Sequence, residues 1–250
     1  MGVPTLGCRC PVCTSADPRN RRTRPSIAVQ WNEGETRRTV VIDTGPDFRE
    51  QMLREDIRHI DAVLYTHSHA DHILGLDDLR PLSFQHQPGS LPLYADDATA
   101  QVLRQVFDYT FSESSTYPTR ARVELRRLEG EDSVEVLGVR FQRVPLLHGR
   151  LQVAGFRFGS AAYLTDMSSI PESSLPLLQG LDVMILDALR PRPHPSHANL
   201  TEALAWVERV KPRQAWFTHM SHEVDQVETE KTFPHNVRLS YDGLRIPFEL

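Results

Sequence analysis

The most informative part of the sequence is Thr66-His67-Ser68-His69-Ala70-Asp71-His72. It directly follows residues 62–65, an apolar run that predicts a buried strand. Side chains at the carboxyl end of a strand have rigid support and face an open crevice. Their imidazole nitrogens and carboxylate oxygen suit zinc, manganese or iron. We therefore predict metal ligands at His67, His69, Asp71 and His72, against the alternative of a polar surface loop that happens to be rich in histidine.

Outside this stretch, the apolar pattern predicts a layered α/β fold with a mixed sheet. Short apolar runs bounded by turn residues predict strands at 39–42, 62–65, 91–94, 134–137, 139–147, 153–158, 161–164, 183–186 and 215–217. The clearest helix is predicted over residues 200–210, with Asn199 and Glu202 as a capping box and Lys211-Pro212 at its end. Alternating residues around Tyr241-Asp242-Gly243 predict a hairpin over residues 237–246.

Length and composition limit the classes of protein to which this chain can belong. A chain of 250 residues with 40% hydrophobic residues can bury a full core, and we expect a single domain over residues 1–250. The formal net charge of -5 gives no general attraction for nucleic acid, so a nucleic-acid partner is not expected. No apolar run approaches the roughly 18 residues that a membrane helix needs. The N-terminus also lacks a basic segment followed by an apolar one, so we expect a cytoplasmic protein without a membrane partner.

The string His67-x-His69-x-Asp71-His72 resembles the signature of the metallo-β-lactamase superfamily, and the rest of the chain resembles that family from end to end. The resemblance implies a four-layer αββα sandwich with the active site at the sheet edge. It also implies three later ligands, which match His148, Asp166 and His219 at the ends of apolar runs. By the same resemblance, His67, His69 and His148 hold one metal, Asp71, His72 and His219 hold a second, and Asp166 bridges the two.

Two metals of this kind predict hydrolysis. Metals about 4 Å apart that share a water lower its pKa enough to supply hydroxide near neutral pH. The predicted cofactors are two divalent ions, zinc or manganese, with iron as a third option. Asp43 ends the buried run 40–42. It is predicted either to accept a hydrogen bond from a ligand imidazole or to form a turn before Thr44-Gly45.

All three cysteines, Cys8, Cys10 and Cys13, lie in an irregular segment over residues 1–25. An odd number packed so closely argues against disulfides and for a metal or redox role. Their thiolates favour a tetrahedral zinc that needs one more ligand, with free or redox-active thiols as the alternative. The opening stretch 2–13 is similar to that of a narrower group, typified by the phosphoribosyl 1,2-cyclic phosphate phosphodiesterases. In that group the second histidine of a Thr-His-x-x-His string completes a structural zinc site, which implies His222 here.

The resemblance to this subgroup also indicates the reaction, and it includes residues 17–22, 186–190, 193–200 and 240–243. His197 matches a subgroup histidine that contacts the phosphate or protonates the leaving oxygen, whereas His194 is interpreted as a loop residue. The resemblance implies a phosphodiesterase for a small cyclic phosphate or nucleotide-like diester, in which a metal-bridging hydroxide attacks phosphorus. The predicted catalytic residues are Asp71 and His197.

Three other interpretations stay open. A transfer-RNA 3′ processing endoribonuclease shares the metal motif, but it needs an RNA-gripping arm, which is commonly inserted between the third histidine ligand and the bridging aspartate. Here only 17 residues separate His148 from Asp166, which leaves little room for such an arm. A pyrroloquinoline quinone biosynthesis-type oxygenase also has a cysteine-rich start. A non-catalytic metal-binding protein is the third class. A homodimer is compatible with the sequence.

Relatives carry a short strand and a Gly-Thr-Gly loop before Gly-Val-Pro, whereas this chain begins Met1-Gly2-Val3. We therefore expect either an upstream start or the lack of that strand and loop.

Overall fold

The computed structural model describes residues 2–86, 89–112, 114, 116–128 and 133–250. The chain folds as two compact units. One is Arg24–Glu131, called here the 24–131 unit. The other combines Met1–Thr23 with Asp132–Leu250 and is called the two-segment unit. The expectation of a single domain over residues 1–250 stays a prediction.

The 24–131 unit contains a five-stranded sheet in the order β1-β2-β3-β4-β5. Its strands are β1 Ile27–Glu33, β2 Thr36–Ile42, β3 Ala62–Leu64, β4 Leu91–Ala95 and β5 Val123–Arg127. The β1–β2 pair is antiparallel, and the other three pairs are parallel. The two strands that the sequence did not predict, β1 and β5, are the edges of this sheet. Edge strands expose polar side chains, so they lack the continuous apolar run that marks the buried β3.

Short helices connect these strands. They are α1 Phe48–Arg54, α2 Ala70–Ile73, α3 Arg80–Ser83, α4 Asp97–Val106 and α5 Asp108–Phe111, with a 3-10 turn at Leu76–Leu79. Their buried faces pack on the sheet in one apolar cluster that includes Phe48, Val63, Tyr65 and Leu93. Burying such side chains contributes roughly 1.5–3 kcal/mol each. The sheet ends that carry the histidine string therefore rest on a packed core.

The two-segment unit contains a seven-stranded sheet in the order β12-β11-β10-β9-β8-β7-β6. Its strands are β6 Ser133–Val136, β7 Val139–His148, β8 Leu151–Phe158, β9 Ala161–Leu164, β10 Val183–Asp187, β11 Gln214–Thr218 and β12 Val237–Leu239. Strands β9 to β12 run parallel, and β6 to β9 form an antiparallel meander. The parallel half brings the carboxyl ends of β9, β10 and β11 to one edge of the sheet.

The C-terminal segment of this unit also contains two helices, α6 Leu200–Val210 and α7 Gln226–Glu230, and a 3-10 helix, Glu172–Leu178. The predicted capping box of α6 is confirmed. The Glu202 amide donates to the Asn199 side chain at 3.0 Å, and the Asn199 amide donates to the Glu202 carboxylate at 2.9 Å. Lys211 ends the helix in the left-handed region at φ 58°. The sequence signals at both ends of α6 therefore act as predicted.

The predicted hairpin over residues 237–246 is wrong. Strand β12 ends at Leu239 and pairs in parallel with β11, and residues 240–250 form no strand. Asp242 accepts hydrogen bonds from the Thr23 amide at 3.1 Å and the Thr23 hydroxyl at 2.7 Å. The Ser160 amide donates to the Glu249 carbonyl at 2.7 Å. The tail is thus held by distant partners instead of by its own second strand.

The N-terminal stretch contains one 3-10 turn, Pro18–Asn20, and is held by a buried arginine. The Arg22 guanidinium donates to the Val224 carbonyl at 2.9 Å and to the Gln226 side chain at 3.3 Å. Burial lowers the pKa of Arg22 to about 10. This anchor fixes the cysteine-containing stretch near residues 224–226 of the same unit. Across the described residues of both units, we find no helix that is long and apolar enough to cross a membrane.

Candidate metal centre

The histidine string begins where β3 ends in the 24–131 unit. His67 is buried directly after the strand, His69 occupies the N-cap position of α2, and Asp71 and His72 lie within that helix. The His67 ring centroid lies 4.5 Å from that of His69 and 4.2 Å from that of His72. The strand-to-helix turn therefore brings together three imidazoles that lie within six consecutive residues.

Asp43 organises this cluster from the end of β2. Its buried carboxylate accepts hydrogen bonds from Nδ1 of His72 at 2.7 Å, the Thr66 amide at 2.8 Å and the Thr66 hydroxyl at 2.7 Å. Because the Thr66 hydroxyl donates to Asp43, its oxygen accepts from Nδ1 of His67 at 3.0 Å. Both imidazoles are thus oriented through Nδ1, which leaves Nε2 as the atom for a metal. Burial raises the pKa of Asp43, and the nearby His72 opposes that shift.

Close backbone packing beneath the string requires two glycines. A methyl group at Gly45 would overlap the Asp71 carbonyl oxygen, and one at Gly75 would overlap the Gly45 carbonyl oxygen. The Thr44 amide donates to the His72 carbonyl at 2.8 Å, and the Gly75 amide donates to the Thr44 carbonyl at 2.8 Å. The string is therefore held against the end of β2 by its backbone as well as by Asp43.

The two-segment unit carries its candidate ligands on separate strands. His148 ends β7, Asp166 lies two residues after β9, and His219 directly follows β11. Nε2 of His219 lies 3.3 Å from a carboxylate oxygen of Asp166. Nδ1 of His148 donates to the Ser196 carbonyl at 2.7 Å, which again leaves Nε2 as the ligand atom.

Three of the candidate residues adopt an uncommon backbone conformation. Asp43, Asp166 and His219 have φ values of 68°, 52° and 60°. Positive φ is disfavoured for residues with a Cβ and concentrates at functional sites. All three follow a strand within two residues, so the left-handed conformation occurs where β2, β9 and β11 end.

His197 lies among these ligands and is held by a buried carboxylate. Its Nδ1 donates to Asp187, the last residue of β10, at 2.6 Å. Its ring centroid lies 4.6 Å from that of His148 and 4.7 Å from that of His219. One donor atom from each of Asp166, His197 and His219 falls within 4.8 Å of the others. The second predicted catalytic residue therefore lies beside two predicted ligands of the same unit.

Asp187 is a site residue to which sequence analysis gave no role. It is fully buried, and it also accepts a hydrogen bond from the Met167 amide at 3.0 Å. Burial raises the pKa of Asp187 well above its ordinary value, while the charge of His219 opposes the shift. The available signal was its position as an acid at the end of an apolar run, which Asp43 shares.

The cysteine cluster lies wholly within the two-segment unit. Nδ1 of His222 lies 3.1 Å from Sγ of Cys8 and 3.6 Å from Sγ of both Cys10 and Cys13. A tetrahedral zinc with ordinary Zn–S and Zn–N bonds separates such donors by roughly 3.6 Å. The Cys13 amide donates to Sγ of Cys10 and is the main reason that the pKa of this thiol falls to about 6. The cluster thus matches a zinc site in donor type and spacing.

Comparison with known proteins places the chain in a family. A family model described as a β-lactamase superfamily domain matches residues 38–220. The chain belongs to this superfamily. The predicted α/β sandwich of the metallo-β-lactamase type is thereby confirmed. A crystal structure of a diphosphatase from the PhnP family is 49% identical to this superfamily member, covers 100% of this chain and 94% of that chain, and has a TM-score of 0.91. The predicted subgroup resemblance is also confirmed.

Two curated relatives match only part of their own length. An octanoyltransferase of Porphyromonas gingivalis is 32% identical over 245 residues, which cover 97% of this chain and 48% of that protein. A coenzyme PQQ synthesis protein B of Methylorubrum populi is 38% identical over 118 residues, which cover 41% of this chain and 38% of that protein. The superfamily member described here thus spans about half or less of the length of these relatives.

Proposed function

We propose that this chain is a metal-dependent phosphodiesterase that acts on a small cyclic phosphate or a nucleotide-like diester. Membership of the superfamily and the likeness to a PhnP-family enzyme support a phosphoester hydrolase. In this proposal His67, His69 and His148 would hold one divalent ion, Asp71, His72 and His219 would hold a second, and Asp166 would be a ligand shared by the two. Five imidazoles and two carboxylates form a donor set that suits zinc or manganese.

The donor chemistry within each unit fits this assignment. Nδ1 of His67, His72 and His148 is engaged by Thr66, Asp43 and Ser196 respectively. Each of these rings is therefore fixed with Nε2 available for coordination. Two bound divalent ions would activate a water and neutralise charge on the phosphate.

The Asp187–His197 pair is the observation that carries the proposal. Cleavage of a phosphodiester breaks a P–O bond, and the electron pair goes to the leaving oxygen. An alkoxide leaves poorly unless a proton reaches it as the bond breaks. In its imidazolium form His197 gives the leaving oxygen the proton on Nε2 and becomes a neutral ring that keeps its Nδ1 proton, because Asp187 holds the Nδ1–H and fixes the ring orientation. Asp187 and the adjacent ligand Asp166 balance the charge of an imidazolium at this position.

Cys8, Cys10, Cys13 and His222 are proposed to hold a third ion, a structural zinc. All four donors are engaged in one closed set, so no coordination position remains for substrate. Arg22 and the zinc would together fix the N-terminal stretch. This site contributes stability and takes no part in the reaction.

A diphosphate ester is the second candidate substrate. The relative with 49% identity is a diphosphatase, and a P–O–P bond presents the same phosphorus chemistry with phosphate as the leaving group. Phosphate leaves more readily than an alkoxide, so its departure depends less on His197. The two substrates are therefore distinguished by how much each needs this histidine. A cytoplasmic location, a homodimer and the absence of a nucleic-acid partner stay predictions.

The test measures hydrolysis by protein loaded with zinc or manganese. The substrates are bis(p-nitrophenyl) phosphate, a ribose cyclic phosphate and a nucleoside diphosphate ester. We expect an Asp71→Ala/His72→Ala double variant to lose all turnover together with the second active-site ion, while the structural zinc stays bound. His197→Ala should slow the ribose cyclic phosphate by about 100-fold or more, since general acids contribute that much. It should spare bis(p-nitrophenyl) phosphate, whose leaving group needs no proton.

His235→Ala is the matched control, because His235 is an exposed histidine outside the centre. It should behave as the wild type. Absence of turnover on all three substrates despite two bound ions in addition to the structural zinc would overturn the proposal. It would direct attention to the oxygenase or to the non-catalytic alternative.

A further inference from the structure

The loop that leads to His197 is unusually constrained for an exposed segment. Prolines alternate through it at positions 191, 193 and 195. Proline fixes its own φ and restricts the residue before it. The Arg190 guanidinium donates to the Pro193 carbonyl at 2.8 Å and to the Arg192 carbonyl at 3.3 Å. Any side chain presented by this loop is held in place before a ligand arrives.

His194, between two of these prolines, is the residue that the loop presents. Its Nδ1 accepts a hydrogen bond from the Ser196 amide at 3.3 Å, so the neutral ring carries its proton on Nε2. Its ring centroid lies 5.0 Å from that of His197. Among the residues that the structure describes, no group forms a hydrogen bond with Nε2 of His194. The residue is half-buried, so part of it stays accessible to a ligand.

The surroundings of His197 indicate which contact His194 can make with a ligand. Three imidazoles of the same unit surround the His197 ring, namely those of His148, His194 and His219. Two of the three are proposed metal ligands, and His194 is the one that is not. Burial, with the charges of His197 and Arg190 adding to it, lowers the pKa of His194. The ring is therefore a neutral hydrogen-bond donor near neutral pH, suited to a hydroxyl or ether oxygen.

We infer that His194 is a substrate-binding residue that donates a hydrogen bond from Nε2 to a hydroxylated leaving group, such as a sugar, next to the oxygen that His197 protonates. This inference rests on the proposed function, because it takes His197 as the acid. It assigns selectivity for the organic part of the diester to a residue of the two-segment unit. The hydrogen bond from His194 would favour substrates with hydroxyl groups near the cleaved bond over aryl diesters, which lack them.

The experiment compares two variants that preserve different parts of the imidazole. His194→Asn keeps an acceptor near the Nδ1 position for the Ser196 amide but lacks the distal donor. His194→Gln places an N–H near the position of Nε2. The kinetics of both are measured with metal-loaded protein on a ribose cyclic phosphate and on bis(p-nitrophenyl) phosphate. Thermal unfolding shows whether either variant is destabilised.

We expect His194→Asn to lower kcat/KM for the ribose cyclic phosphate by about five- to tenfold, as for one lost neutral hydrogen bond. The loss should appear mainly in KM. Turnover of bis(p-nitrophenyl) phosphate should not change, and His194→Gln should stay within about twofold of the wild type on both substrates. Equal losses on the two substrates, equal losses in the two variants, or no loss in either would overturn the inference. Wild-type protein that hydrolyses neither substrate would overturn the proposed function itself, and the inference with it.

Discussion

The two units hold their candidate ligands in opposite ways. In the 24–131 unit, His67, His69, Asp71 and His72 come from six consecutive positions, and one carboxylate, Asp43, holds two of the rings directly or through Thr66. In the two-segment unit, the ligands come from the ends of three strands. The cysteines in that unit pair with a histidine that is 214 residues away from Cys8.

This difference shows what each cluster depends on. The histidine string depends on a local turn, two glycines and one buried acid. The strand-end ligands of the two-segment unit depend on the register of its sheet, which is parallel from β9 to β11 and antiparallel at β7. The cysteine site depends on long-range contacts to the N-terminal stretch. Disturbing the fold of the two-segment unit should therefore scatter its ligands, whereas the string should keep its geometry as long as β2 and β3 remain paired.

The strongest disturbance is expected from Cys10→Ser. Structural zinc sites contribute folding free energy, and this one joins the N-terminal stretch to the loop that follows β11. We expect loss of one zinc per chain and a fall in the unfolding midpoint on the order of 10 °C, since 1 kcal/mol corresponds to about 2–4 °C at this size. Zinc analysis and calorimetry measure both effects.

Arg9→Ala is the control, because Arg9 is exposed between the same cysteines. It should keep the zinc and the midpoint. A Cys10→Ser protein with unchanged zinc content and midpoint would contradict the assignment of this site. It would also remove the main reason for considering the two-segment unit the more fragile of the two.

The buried carboxylates Asp43 and Asp187 occupy corresponding positions in the two units, each at the end of a strand. Both accept a hydrogen bond from Nδ1 of a histidine, at 2.7 and 2.6 Å. Asp43→Asn should weaken active-site metal binding by about 10- to 100-fold, since Asp43 orients a ligand. Asp187→Asn should leave metal content unchanged and slow the ribose cyclic phosphate by about 10-fold or more, since Asp187 orients the acid.

Asp56→Asn is the matched control for both variants. Asp56 also has a positive φ, 52°, but its side chain is 73% exposed and pairs with Arg58 on the surface. Metal titration and kinetics should match the wild type. Equal loss of metal in Asp43→Asn and Asp187→Asn would show that the two carboxylates act alike, which contradicts the division of roles proposed here.

The contrast between the units also explains which features the sequence predicts. The string, the buried strands and the α6 capping box are local patterns, and each is recognisable within a few residues. The sequence does not predict the edge strands β1 and β5, because these strands are only partly buried. It does not predict the conformation of the tail, because the residues that hold the tail, Thr23 and Ser160, are distant in sequence. The role of Asp187 is also not predicted, again because its partner is not a near neighbour in sequence. Its partner His197 lies 10 residues further along the chain, so no pattern within a few residues of Asp187 indicates the contact.

The smallest effect is expected at the caps of two helices, one in each unit. Asn199 caps α6 and lies two residues after His197, while Asp96 caps α4 through the Thr99 amide at 2.8 Å. Replacing either cap with alanine should lower the free energy of unfolding by about 1 kcal/mol. Only Asn199→Ala should also slow the ribose cyclic phosphate, by a few-fold, because fraying at the start of α6 loosens His197. Asn199→Asp keeps the cap and should restore both quantities. Equal kinetic effects of Asn199→Ala and Asp96→Ala would mean that the position of His197 does not depend on the start of α6, and the rigid proline loop alone would then account for it.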